Sequence, residues 1–163
     1  MSSYLSHKRK GFQGTAPAAF NGFGNRSRSF DGVSQYVDLG NSNDFSFGDS
    51  LSDSPFSVSA WIKPKRTNTL RVLGKYDNNA AAREWIFTTD SNSLLILFIF
   101  DESTNGNLLK RCAADPITNY SDQWVHVSCT YDGSSNSSGV KLYINGVESQ
   151  DTDNSSGTYV AME

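Results

Sequence analysis

The sequence lacks the features that mark a membrane span, a secretory leader or a disulfide scaffold. Its longest apolar run, Leu94 to Phe100, has seven residues, far short of the ~20 that cross a bilayer as a helix. The first 30 residues contain no continuous apolar stretch of the kind a signal peptide needs. Cysteine occurs only at Cys112 and Cys129, which is no disulfide framework. Cys129 shares the apolar side of its segment with Val125 and Val127, so it reads as a buried free thiol; a bridge to Cys112 stays open at this level. Glutamate is scarce, with four against thirteen aspartates, and short carboxylates favour turns and caps over helix interiors.

Charge is unevenly spread. The first 28 residues hold Lys8, Arg9, Lys10, Arg26 and Arg28 and no acid, so the net charge of −3 divides into +5 on this stretch and −8 on the remainder. Residues 1–27 read as an extended arm, because Gly11, Gly14, Gly22 and Gly24 break any helical period and Pro17 stiffens it. The same arm carries Tyr4, Phe12, Phe20 and Phe23. A solvated tail has little use for four aromatics, which sets docking onto a neighbouring subunit beside disorder as a reading. Fully extended, the arm would reach roughly 90 Å. A nucleic-acid role is disfavoured, since Lys8-Arg9-Lys10 is a small basic patch attached to an acidic body.

The remainder is patterned as strands. Gln123 to Tyr131 alternates, with Val125, Val127, Cys129 and Tyr131 on one side and Trp124, His126, Ser128 and Thr130 on the other, ending at Asp132-Gly133. Val140 to Val147 reads as a hairpin around Asn145-Gly146, residues that accept the positive φ of a type I′ turn. Phe56 to Pro64 places Phe56, Val58, Ala60 and Ile62 on one face and Trp61 on the other. Further strands are expected at Tyr36 to Gly40, Leu70 to Tyr76, Glu84 to Thr88, Leu94 to Phe100 and Leu109 to Ala113. The expected class is all-β, an antiparallel β-sandwich or jelly roll. At 163 residues and 37% hydrophobic content the chain can bury one good core.

Phe30-Asp31-Gly32 with Tyr36 to Gly40, Phe56 to Pro64, Trp124 to Val127, Tyr131-Asp132-Gly133 and Lys141 to Gly146 together resemble the concanavalin A-like, laminin G-like jelly roll, in that family's order. The resemblance covers residues about 28 to 150. It implies a sandwich over 28–163 preceded by the arm, apparently lacking the family's usual last strands, so that the sheet is expected to be closed by the arm, by another chain or by sequence outside this one.

Relatives of the fold include glycoside hydrolases, which use two carboxylates on either side of the scissile bond. No Glu-x-Asp or Glu-x-x-x-Glu array occurs here; Glu84, Glu102, Glu148 and Glu163 stand alone, and no phosphate loop, nucleophile elbow or zinc spacing is present. The expectation is therefore no enzyme. Calcium is the one cofactor the resemblance suggests, with Asp31 and Asp38 on the family's N-terminal motif and Asp77 and Asp132 in loops supplying hard oxygen ligands. For a glycan, Tyr76, Trp85 and Tyr120 are the aromatic candidates. Leu94 to Phe100, apolar on both faces, is either a doubly covered central strand or, through Leu95, Leu97 and Ile99, part of a subunit interface together with Phe12, Phe20 and Phe23.

These features converge on a non-catalytic binding and assembly module, expected as a virion (phage) accessory structural protein such as a decoration or fibre component. Its expected partners are other subunits of a homo-oligomer or larger assembly, met through the arm and the apolar strand. The alternative is a glycan-binding, lectin-like module of a cell-surface or adhesion protein.

Overall fold

The computed structural model describes residues 27–65, 69–77, 82–103, 107–149 and 151–163. Residues up to Tyr36 and residues from Val37 onward form separate units. In the first, the Asp31 carboxylate accepts the backbone N–H groups of Val33, Ser34 and Gln35 at 2.9–3.0 Å and the Ser34 hydroxyl at 2.9 Å. These bonds hold its pKa well below the ordinary carboxylate value, so this aspartate builds a self-contained turn.

The second unit contains β1 (Phe56–Ile62), β2 (Arg71–Asp77), β3 (Ala82–Thr89), β4 (Leu94–Asp101), β5 (Asn107–Pro116), β6 (Val125–Tyr131), β7 (Val140–Ile144), β8 (Val147–Glu148) and β9 (Asp151–Asp153). They form two antiparallel sheets, ordered β1-β6-β7-β8 and β2-β3-β4-β5-β9. The alternation read along β6 holds residue for residue: Val125, Val127, Cys129 and Tyr131 are buried, and His126, Ser128 and Thr130 are half-exposed. Burial of these faces against Phe87, Leu95, Leu97 and Ile99 of the opposite sheet forms the core, each large side chain contributing about 1.5–3 kcal/mol.

Leu95, Leu97 and Ile99 are thus interior residues with no exposed surface, which removes them as interface candidates. The physical reason is that β4 is a central strand covered on both faces. On its other face Ile96 and Phe100 are buried as well, alongside Ile86 and Cys112, and the rings of Phe98 and Phe100 stack. Cys112 and Cys129 are both buried and are not joined in a disulfide, and burial pushes the Cys129 thiol up to about 12.

Tyr36 to Gly40 forms no strand, contrary to expectation. The chain continues past the Asn145-Gly146 hairpin into β8 and then β9, which pairs with Arg111 to Ala113 of β5. The segment after β9 is fastened by two carboxylates. Asp53 accepts the hydroxyls of Tyr131 and Tyr159, both at 2.6 Å, and the Met162 N–H at 2.9 Å. Asp101 accepts the Val160 N–H at 2.9 Å and bonds with Ser103. Ala161 and Met162 are buried by this arrangement. Gly48 makes the close approach feasible, since a Cβ there would lie 2.4 Å from the Met162 carbonyl oxygen.

Candidate functional site

The outward face of the four-stranded sheet carries an exposed pair of rings. Trp61 stands directly opposite His126 in the β1–β6 register, because strand alternation that buries Phe56 and Val58 turns residue 61 outward. Its indole is 66% exposed and lies 5.3 Å from the His126 ring at an interplanar angle of 58°. The β7–β8 hairpin is locked against this pair. Asn145 accepts the His126 N–H through Oδ1 at 3.1 Å and donates its own N–H to the His126 carbonyl at 2.8 Å. Asn145 and Gly146 have φ of 50° and 77°, the backbone a type I′ turn requires and glycine adopts without strain. Trp61, His126, Asn145 and Gly146 line an open cleft of about 390 Å³. Trp124 is also exposed, next in sequence to β6. The cleft therefore offers a flat apolar face, an imidazole and an amide within one small recess. Such a combination holds a ligand by stacking on one side and hydrogen bonding on the other.

The aromatic residues expected to bind a glycan do not form such a surface. Trp85 is only 2% exposed, and its Nε1–H donates to the Phe45 carbonyl at 2.9 Å; it belongs to the core, packed against Phe47 and Phe56. Tyr120 is half-buried against that core. Tyr76 is half-buried, its ring 5.5 Å from Phe100 with the Arg71 guanidinium over it at 5.9 Å. Trp61 was legible as the outward residue of an amphipathic strand, and Asn145 as a turn residue; what the sequence did not reveal is that the two meet.

Of the aspartates expected to bind calcium, Asp31 lies in the first unit and Asp38, Asp77 and Asp132 in the second. Among the described residues no group of three His, Cys, Asp or Glu side chains is placed to hold a metal. Asp38 caps its own turn through the Gly40 N–H at 2.7 Å, and Asp132 through the Ser134 N–H at 3.0 Å. With Asp31 similarly occupied, the carboxylates of these three residues serve local turns.

Three of the described glutamates are engaged by a cation: Glu84 by Lys75 at 2.6 Å, Glu102 by Arg83, and Glu148 by Lys141 at 2.9 Å. Phe12, Phe20 and Phe23 lie outside the described residues. No helix among the described residues is long and apolar enough to cross a membrane.

No curated protein matches the chain. The family model described as the concanavalin A-like lectin/glucanases superfamily matches residues 31–161. Laminin G-like domains of this kind are typically non-catalytic binding modules, and the chain belongs to that superfamily as a β-sandwich of its laminin G-like type.

Proposed function

We propose that this chain is a non-catalytic binding module that seats a saccharide in the Trp61 cleft. The carrying observation is the exposed Trp61 indole beside His126 and the Asn145-Gly146 turn. A sugar ring presents an apolar C–H face and hydroxyl edges, which match an indole plane bordered by an amide and an imidazole. Trp61→Ala should weaken saccharide binding by about thirtyfold, the equivalent of ~2 kcal/mol for an aromatic anchor. Calorimetry against hits from a glycan array measures this, with Tyr76→Ala as the variant expected to bind normally. Equal affinity in Trp61→Ala and wild type would sink the reading.

A second reading is favoured by the exposed apolar side chains of residues 30–39 and by the basic, aromatic composition of residues 1–27. In it the chain is an assembly component, with a phage virion as the setting and a decoration or fibre protein as the role. Light scattering tests it: the full chain should be multimeric, and replacing Phe12, Phe20 and Phe23 by serine should lower its mass if the arm carries the contact. A monomer at every concentration would exclude self-assembly.

A further inference from the structure

Four strands stand at the ends of the two sheets, and three carry a device that discourages pairing with another chain. β8 and β9 have only two and three residues. β2 is seven residues long but bears Arg71, Lys75 and Asp77, and its register breaks at Arg71/Leu73 and Lys75/Tyr76. Short length, charge and bulges are the usual protections of a sheet edge. β1 has none of them. It is seven residues, Phe-Ser-Val-Ser-Ala-Trp-Ile, without a charge and in unbroken register with β6. No described residue pairs with its other edge. Ala60 and Ile62, next to that edge, are only half-buried where they meet the core.

The complementary element is Tyr36 to Leu39. Its composition suits a strand, yet Tyr36, Val37 and Leu39 are 80%, 62% and 54% exposed. Among the described residues these positions make no backbone hydrogen bond. The segment is bracketed by two self-satisfied turns, one gathered by the Asp31 carboxylate and one closed by the Asp38 side chain on the Gly40 N–H. It is therefore a short piece outside any helix or strand, its apolar side chains exposed and its backbone groups unpaired among the described residues. Period-two alternation places Val37 and Leu39 on one side, Tyr36 and Asp38 on the other. Laid along β1, Val37 and Leu39 would continue the apolar face of Ala60 and Ile62, and Tyr36 and Asp38 the outward face of Ser59 and Trp61.

We propose that Tyr36 to Leu39 of one copy adds as an edge strand to β1 of a second copy, so that the protein assembles by strand exchange. Among the described residues nothing covers Val37 and Leu39, and the unprotected β1 edge of a neighbouring copy is the matching surface. Pairing satisfies two sets of backbone groups at once and buries Val37 and Leu39. The inference rests on the assembly reading but not on the arm's aromatics.

Light scattering and hydrogen exchange on the full chain test it across a concentration series. The wild type should show at least twice the monomer mass, and exchange should slow at residues 36–39 and 56–62 together as concentration rises. Val37→Asp with Leu39→Asp should be monomeric with an unchanged circular dichroism spectrum, its dissociation constant raised at least a hundredfold. The Phe12→Ser, Phe20→Ser, Phe23→Ser variant should keep the wild-type mass, which separates strand exchange from docking by the arm. Should the charged variant fail to fold, the wild-type exchange series decides alone. A wild type that stays monomeric, or protection at both segments that is independent of concentration, overturns the proposal.

Discussion

Residues 36–40 and 159–162 both lie outside the two sheets and are both rich in apolar side chains, yet one is exposed and the other docked. The difference lies in what their backbones and polar groups meet. The later segment finds Asp53 for the Tyr159 hydroxyl and the Met162 N–H, and Asp101 for the Val160 N–H, while the Met162 carbonyl accepts from the Ser50 N–H at 2.9 Å. With those groups satisfied, Met162 can be wholly buried. Among the described residues the earlier segment has only its own turns for partners. Apolar content alone does not bury such a segment; the accompanying polar groups need partners first.

The sharpest way to break the contrast is to remove the later segment's acceptor. Asp53→Ala strips partners from two tyrosine hydroxyls and one amide, and at ~1 kcal/mol or more for each unsatisfied group should cost at least about 3 kcal/mol in urea denaturation. Met162→Ala should cost about 2–4 kcal/mol, since its side chain is fully buried.

Acid should loosen the same attachment in graded fashion. Burial tends to raise the Asp101 pKa, but hydrogen bonds from Ser103 and Val160 outweigh it and hold the carboxyl below its ordinary value. Its contribution is therefore complete above the unfolded value of ~3.9 and fades as pH falls through the lower folded value. The protection of the Val160 amide relative to its intrinsic exchange rate should fall over that window, and Asp101→Asn should flatten the response. The smallest effect is expected at the exposed segment: Val37→Ser should shift monomer stability by no more than about 0.5 kcal/mol. A large loss there in dilute solution would erase the contrast.

Much of the sandwich could be read directly. The β6 alternation, the Asn145-Gly146 hairpin and the doubly apolar β4 all rest on local periodicity and turn chemistry, and each is found in place. What escaped depends on partners. Tyr36 to Gly40 has the composition of a strand, but a strand also needs a neighbour. Trp85 could not be told from a surface aromatic because β3, Ala-Arg-Glu-Trp-Ile-Phe-Thr-Thr, is buried along most of both faces, polar residues included. The Trp61 cleft joins positions on three separate strands and turns. Asp53 was invisible as a hub because its donors lie 78, 106 and 109 positions downstream.

That last separation bears on synthesis. Asp53 leaves the ribosome long before Tyr131, and Tyr131 before Tyr159 and Met162, so Asp53 waits for two of its three donors until those residues have been made. Contacts so distant in sequence form late and slow the final step of folding. A nascent chain interrupted ahead of Tyr159 would hold an Asp53 with one donor in place of three and an uncovered recess where Met162 belongs. The cell's proteases could recognise that state as unfinished.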